Sequence, residues 1–250
     1  MFRSLNASLS NCLISNNSEM GVWCYENGHI TMHGCTISYN EQRGVYMNKA
    51  GRSVISDNVF INNSIVILGS ELSHYIHDIK DNVVNNRPLY YIMGASGGTY
   101  TLPDAGQLII VNSKDLYITD AYISGADIGV IVAYTKNLRI VNSTLKHNKE
   151  GVFLYECADI KIVDCEICFN RWIPGGWEMG AGIRCSQSYN VIVCNCVINH
   201  NTYVGIEEDK SHIRVLNCTI RCNGVGIYCW GGLEVHYSNI YGNLGHGLRN

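Results

Sequence analysis

Apolar residues along this chain fall in short runs that alternate with polar ones and close on an Asn. Cys35-Thr36-Ile37-Ser38-Tyr39-Asn40 is a clear copy. The same phrase returns at 12–17, 58–63, 82–86, 143–148, 165–170, 196–201, 218–223 and 238–243. The closing residues Asn17, Asn40, Asn63 and Asn86 are each 23 apart; Asn148 to Asn170 and Asn201 to Asn223 are 22, and Asn223 to Asn243 is 20. A second phrase opens each copy with Gly, as in Gly44-Val45-Tyr46-Met47, Gly151-Val152-Phe153-Leu154 and Gly226-Ile227-Tyr228-Cys229. Between the two sits an apolar pair one residue apart, such as Ile160 and Ile162 or Ile213 and Val215. Self-similarity at a fixed period of this length marks a repeat architecture.

Each copy holds three alternating strands of three to five residues joined by Gly/Asn turns, and none has room for a crossover helix. Strands that short need neighbours above and below. Stacking copies at a strand spacing of about 4.8 Å gives three parallel sheets about 50 Å tall. The pattern therefore predicts an all-β, single-stranded parallel β-helix of about ten coils of 20–23 residues, one domain over 1–250. An antiparallel sandwich expects hairpin turns and irregular strand lengths, not an Asn at fixed phase.

Composition agrees. The chain has 29 Ile and 20 Val but 9 Ala, which favours strands over helices. The 27 Asn supply turns and much of the uncharged surface that a 16% charged fraction requires. The net charge of −3 has no basic block behind it, so nucleic acid is not an expected partner. No apolar stretch is long enough to span a membrane. Met1 to Ser10 holds one Arg and no run of signal-peptide length.

The Gly-Val/Ile phrase, the Ile-x-Val pair and the Asn-closed phrase together resemble the pectin-lyase-like right-handed β-helix superfamily. Within it, Asp81-Asn82-Val83-Val84-Asn85-Asn86-Arg87-Pro88-Leu89-Tyr90-Tyr91, followed by Asp104-Ala105-Gly106-Gln107-Leu108, is similar to the NosD-like subgroup. The resemblance implies a right-handed solenoid. It also implies an extracellular, periplasmic or cell-surface setting and a carbohydrate or surface role. The subgroup takes its name from an accessory protein for copper-site maturation, so that role stands beside the others.

Two interruptions break the period, near 87–104 and near 171–181, and both are expected as loop insertions. Loops that leave a regular scaffold often carry function, and the second holds Trp172, Trp177 and Glu178. At the ends, Asn11 starts in mid-coil and Gly245 begins a Gly phrase that stops short, so further coils or a partner chain are expected there.

The twelve Cys fall in columns. Cys12, Cys35, Cys165, Cys196 and Cys218 share one phase; Cys24, Cys185 and Cys229 share another. The plain reading is small core filler. Disulfides between neighbouring coils stay open, although a coil spacing of about 4.8 Å exceeds the usual Cβ separation of about 3.8 Å. Cys165, Cys168, Cys218 and Cys222 lie two coils apart, too far for one tetrahedral zinc. The pairs His29/His33 and His74/His77 read as turn histidines, so no metal or other cofactor is expected. Sequons at Asn6, Asn16, Asn62, Asn142 and Asn217 are frequent by chance in an Asn-rich repeat.

In the Gly phrase the second residue points into the core, so the third and fifth point out. That outer face reads Trp23 and Tyr25, Tyr46 and Asn48, Ile131 and Ala133, Phe153 and Tyr155, Arg184 and Ser186, Glu207 and Asp209, Tyr228 and Trp230. Its charges cluster at Arg184, Glu207 and Asp209, bracketed by Tyr155, Tyr228 and Trp230. The 171–181 loop can hang Trp172, Trp177 and Glu178 beside them. Glu207 and Asp209 stand about 6.6–7 Å apart along one strand face, a separation that suits inverting hydrolysis with a water between. Arg184 could hold a uronate carboxylate, and the aromatic rings suit sugar faces. The alternative is a cross-coil ion pair of Arg184 with Glu207. Three roles follow: a β-helix that binds or cleaves polysaccharide or a cell-surface glycan, a non-catalytic surface module, and a copper-maturation accessory.

Overall fold

The computed structural model describes residues 6–26, 28–171 and 180–250. It is a right-handed β-solenoid of about 11 coils. Its helical content among these residues is the 3-10 turn Leu72–Tyr75. Nearly all ladders are parallel, and successive coils pair residue on residue, as in Val152, Ile183, Ile206 and Ile227.

The corners explain the Asn content. Asn, Asp and His hold left-handed turns there, at φ 51 for Asn217, 57 for Asp57 and 54 for His200, a region these side chains tolerate better than most. The repeat-closing Asn residues lie inside the next corner and stack. Asn40 Nδ2 donates to Asn63 Oδ1 at 3.0 Å, and Asn201 Nδ2 donates to Asn223 Oδ1 at 2.9 Å. Each amide oxygen also accepts the backbone N–H of the Asn one coil below, as Asn201 Oδ1 does from Asn170 N. Buried amides are thereby satisfied along the whole column.

The coil stack reverses once. Strand Val83–Val84 continues the parallel ladder from Val59–Ile61, but its other edge pairs antiparallel with Arg87–Met93. From there the ladders are parallel again, through Gln107–Val111 and Ile128–Ala133. The segment expected as an insertion near 87–104 is thus regular structure: Arg87–Met93 and Ser96–Thr101 both belong to walls of the solenoid. One sheet of twelve strands runs through both lobes. The wall that carries the Asn phrase before the hairpin meets, edge to edge, the wall that carries the Gly phrase after it.

The first lobe lies against the outer face of the second. Gln107 Nε2 donates to Ile65 O at 2.7 Å. Asp127 Oδ2 accepts the backbone N–H groups of Gly44 and Ser64, both at 2.7 Å. Lys149 Nζ reaches Gln42 O at 2.7 Å. As the second lobe ascends from Gln107 to Lys149, its partners descend from Ile65 to Gln42, so the lobes run side by side in opposite senses. Ile109, Ile131 and Phe153, all on the outer face, join the same buried cluster as Ile37, Phe60 and Val66 of the first lobe. The inner face of the second lobe has a core of its own, with Leu108, Val130, Leu154 and Ile206.

The inward/outward assignment of the Gly phrase holds, but most of its outer face in the second lobe is not a solvent face. Over 109–155 the first lobe covers it, and even Arg184 and Glu207 are only 7% and 4% exposed.

Candidate functional site

Where the first lobe ends, the outer face of the second opens into a cleft of about 170 Å³. One wall is Leu68, Gly69 and Tyr75. The other is built from three coils: Phe153 and Tyr155, then Arg184 and Ser186, then Glu207 and Asp209, with Trp230 at the rim. Four of the residues singled out in the sequence, Arg184, Glu207, Asp209 and Tyr155, therefore meet in one place, and Trp230 joins them. Tyr228 stands beside Trp230, with ring centroids 4.1 Å apart. Trp172, Trp177 and Glu178 lie outside the described residues, whose nearest members are Arg171 and Gly180.

The first-lobe wall is held from behind. The Tyr75 hydroxyl donates to Gly69 O and accepts from Gly69 N, at 3.2 and 3.1 Å. Its ring stacks on Tyr155 at 5.7 Å and meets the edge of Tyr134 at 5.8 Å. Burial drives the Tyr75 hydroxyl far above its ordinary pKa and that of Tyr134 to about 12, so both stay neutral. Below them Tyr91 donates to Tyr75 O at 2.6 Å and accepts from His77 N at 3.0 Å. His77 Nδ1 accepts the Ser53 N–H, which leaves Nε2–H to donate to His74 O at 3.0 Å. Burial lowers the His77 pKa to about 4, so the imidazole is neutral near pH 7.

Arg184 departs from the sequence expectations. It stands beside Glu207 in register, but its fork grips Glu150. Nε donates to Oε1 at 2.9 Å and Nη2 to Oε2 at 3.0 Å, with the guanidinium 4.4 Å from the Phe153 ring centroid. A bidentate pair of this kind is geometrically demanding, and two of the donors that a uronate would need are committed to it. Asp209 Oδ2 accepts the Ser186 hydroxyl at 3.0 Å. Among the described residues the cleft lining thus sets one guanidinium, paired from behind with Glu150, against the carboxylates of Glu207 and Asp209.

Glu208 was missed by the reading of the outer face because it points the other way. It sits in the inward column between Cys185 and Cys229 and is fully buried. Its Oε2 accepts the backbone N–H groups of Trp230 and Gly231 at 3.0 and 2.5 Å and the Cys229 thiol at 3.0 Å; Oε1 accepts from Ser211 N. Those bonds fix the turn that presents Trp230 to the cleft. A carboxylate in a column of Cys and Leu was the available signal.

Residues 75–244 match the family model described as "Periplasmic copper-binding protein (NosD)". The chain belongs to the NosD family. A second model, "Right handed beta helix region", matches residues 1–105. A search of curated proteins finds no match. Among solved structures, a double mutant of the periplasmic alginate epimerase AlgG is 16% identical with a TM-score of 0.48, over 85% of this chain and 50% of that one. The enzymatically active domain of a bacteriophage tailspike protein is 15% identical with a TM-score of 0.43, over 88% of this chain and 33% of that one. Pectate lyase Pel9A is 13% identical with a TM-score of 0.35, over 92% and 52%. The chain spans about half the length of the epimerase. With TM-scores under 0.5, these likenesses say nothing of what this chain binds.

Copper, named in the NosD description, asks for soft donors converging on one point. Among the described residues no three His, Cys, Asp or Glu side chains converge in that way. The stacked thiols of Cys165, Cys196 and Cys218 each donate to a carbonyl of the preceding strand, Val163, Cys194 and Leu216, at 3.1 to 3.3 Å. His77 has both ring nitrogens engaged. His29 bonds Arg52 O at 2.8 Å, and His33, at the far end of the same strand, sits 3.2 Å from Asp57. These donor sets do not fit a copper centre. No helix among the described residues is long and apolar enough to cross a membrane.

Proposed function

We propose that this chain is an extracytoplasmic glycan-binding protein whose inter-lobe cleft seats one sugar unit of a neutral or amino-bearing polysaccharide. The observation that carries the reading is the company kept in the cleft: two carboxylates, Glu207 and Asp209, beside Trp230 and Tyr155. Aromatic rings take the apolar faces of sugars, and carboxylates accept from their hydroxyl or ammonium groups. The volume falls below the range that buries a drug-sized ligand, which suits a single unit of a chain lying along the coils. Two carboxylates against one guanidinium, which is itself committed to Glu150, disfavour a uronate. The periplasmic description of the NosD family supports the setting.

A second reading, inverting hydrolysis, is favoured by the placing of Glu207 and Asp209 two residues apart on one strand face, about 6.6–7 Å at the backbone. A glycan array with neutral, N-acetylated, amino and uronate oligosaccharides, followed by a reducing-end assay on any binder, tests both readings. Binding of neutral or amino sugars that is lost in Trp230→Ala and Glu207→Gln is expected. Binding confined to uronates, or unchanged in both variants, overturns the assignment of the cleft.

A further inference from the structure

A second candidate site lies at the Asn-ladder corner of the second lobe, on elements that take no part in the cleft. The residue before each ladder Asn points outward from a left-handed turn: His147, Phe169, His200 and Cys222 have φ 56, 56, 54 and 55. Their side chains form a column along the solenoid. His147 stacks on Phe169 at 5.3 Å and 18°, and Phe169 on His200 at 4.8 Å and 15°. There the rings stop. The next position is the small, half-buried thiol of Cys222, and the one after it is Gly242. Among the described residues no ring covers the other face of His200, and a groove of about 440 Å³ opens at that point. Arg171, Thr202 and Leu244 flank it.

Three features say what the groove would take. The first ringless position lies one coil from His200, about 4.8 Å, which leaves a ring room to stack there. Leu244, 89% exposed, offers an apolar ledge beside it. Among the described residues its ionisable lining is Arg171, His147, His200 and the Cys222 thiol, with no carboxylate. His200 is also fixed in orientation. The Asn199 amide oxygen at 2.8 Å accepts from Nδ1, which holds the ring square to the column.

We propose that this groove is a second glycan site, selective for an acidic pyranose unit that stacks on the free face of His200 with its carboxylate toward Arg171. Its charge preference is opposite to that of the cleft, so the two sites are separable by ligand. Stacking on an aromatic face and an Arg–carboxylate pair are the two contacts that would hold such a unit.

Calorimetric titration with trigalacturonate, and with its methyl ester as the neutral control, tests the site. Cys222→Phe completes the column and fills the groove without altering charge; Phe169 occupies the same turn at the same φ, so the backbone admits the ring. Cys222→Phe and Arg171→Gln are each expected to weaken trigalacturonate binding at least tenfold. The methyl ester is expected to bind weakly. In the unmodified protein, bound trigalacturonate should slow iodoacetamide alkylation of Cys222, read by mass spectrometry, which serves even if Cys222→Phe fails to fold. Absence of binding at millimolar ligand, binding unaffected by Arg171→Gln, or unslowed alkylation would each overturn the proposal. Failure here leaves the neutral-sugar reading of the cleft standing, because that reading is tested with other ligands and other variants.

Discussion

Lys149 and the buried Asp127 stand 2.7 Å apart, one coil from each other on the second lobe, yet both hold the first lobe. Asp127 takes two backbone N–H groups from it and Lys149 gives to two of its carbonyls, those of Asn40 and Gln42. A buried pair satisfied in this manner is costly to break from one side, because the remaining charge stays in low dielectric.

Lys149→Met should therefore cost about 3–5 kcal/mol in urea unfolding. The double variant Lys149→Met/Asp127→Asn should recover part of that loss, since the uncompensated charge is gone. A single-variant cost below about 1 kcal/mol, the usual range for a solvent-exposed pair, would show that the lobes do not depend on this contact.

Ile206 and Trp230 separate packing from recognition. Ile206 is fully buried in the second-lobe core, so Ile206→Ala should cost about 2–5 kcal/mol. Trp230 is 52% exposed, and Trp230→Ala should shift stability by about 0.5 kcal/mol or less while removing glycan binding. Glu207, only 4% exposed, gives no such separation.

All twelve cysteines are free, and nine of them are buried; Cys12, Cys194 and Cys222 are half-buried. Burial also raises the thiol pKa of Cys157 and of Cys168 to about 12, which suppresses the reactive thiolate. Native protein at pH 8 should react with a thiol reagent at no more than about three sites within minutes, and denatured protein at twelve. A reductant should leave Tm unchanged. A fall of many degrees on reduction would mean that structural disulfides form between the columns.

His77 makes stability depend on pH. Its pKa in the fold, about 4, lies below the unfolded value near 6.5, so the unfolded chain binds more protons between those limits. The neutral ring's contribution is complete above pH 6.5 and is lost as pH falls toward 4, by roughly 3 kcal/mol in all. Urea midpoints at pH 7 and pH 4.5 measure it. His77→Gln, which keeps a donor and an acceptor, should flatten the slope; an unchanged slope would place the dependence elsewhere.

The spacing of Asn17, Asn40 and Asn63 made the coil legible, because a stacked amide column tolerates no other residue at that phase without losing its bonds. The inward phase of Ile206 and the outward phase of Glu207 were legible for a similar reason: pleating alternates faces whatever surrounds the strand. The reversal after Asn86 was not. The phrase at 82–86 keeps the repeat, and the antiparallel pairing of Val83 with Pro88 and Val84 with Arg87 is a choice of partner that periodicity does not encode. What followed from that reversal was hidden with it. The burial of Phe153 and Tyr155 depends on Tyr75, some eighty residues away. The grip of Arg184 on Glu150 depends on the side-chain path across the strand below, whereas register alone favoured Glu207.

The opposed senses of the two lobes make the molecule a vernier. Gln107, Asp127 and Lys149 set the zero mark against the first lobe, and every coil beyond Lys149 is a graduation at a fixed pitch. Exchange of one such coil for another of equal length would replace the outward pair it contributes, as Arg184 and Ser186 or Glu207 and Asp209 are contributed now, opposite an unmoved Tyr75. Gain or loss of a coil would slide the scale by one division. The lining of the cleft is therefore written one coil at a time, while the joint that holds the scale in place is left alone.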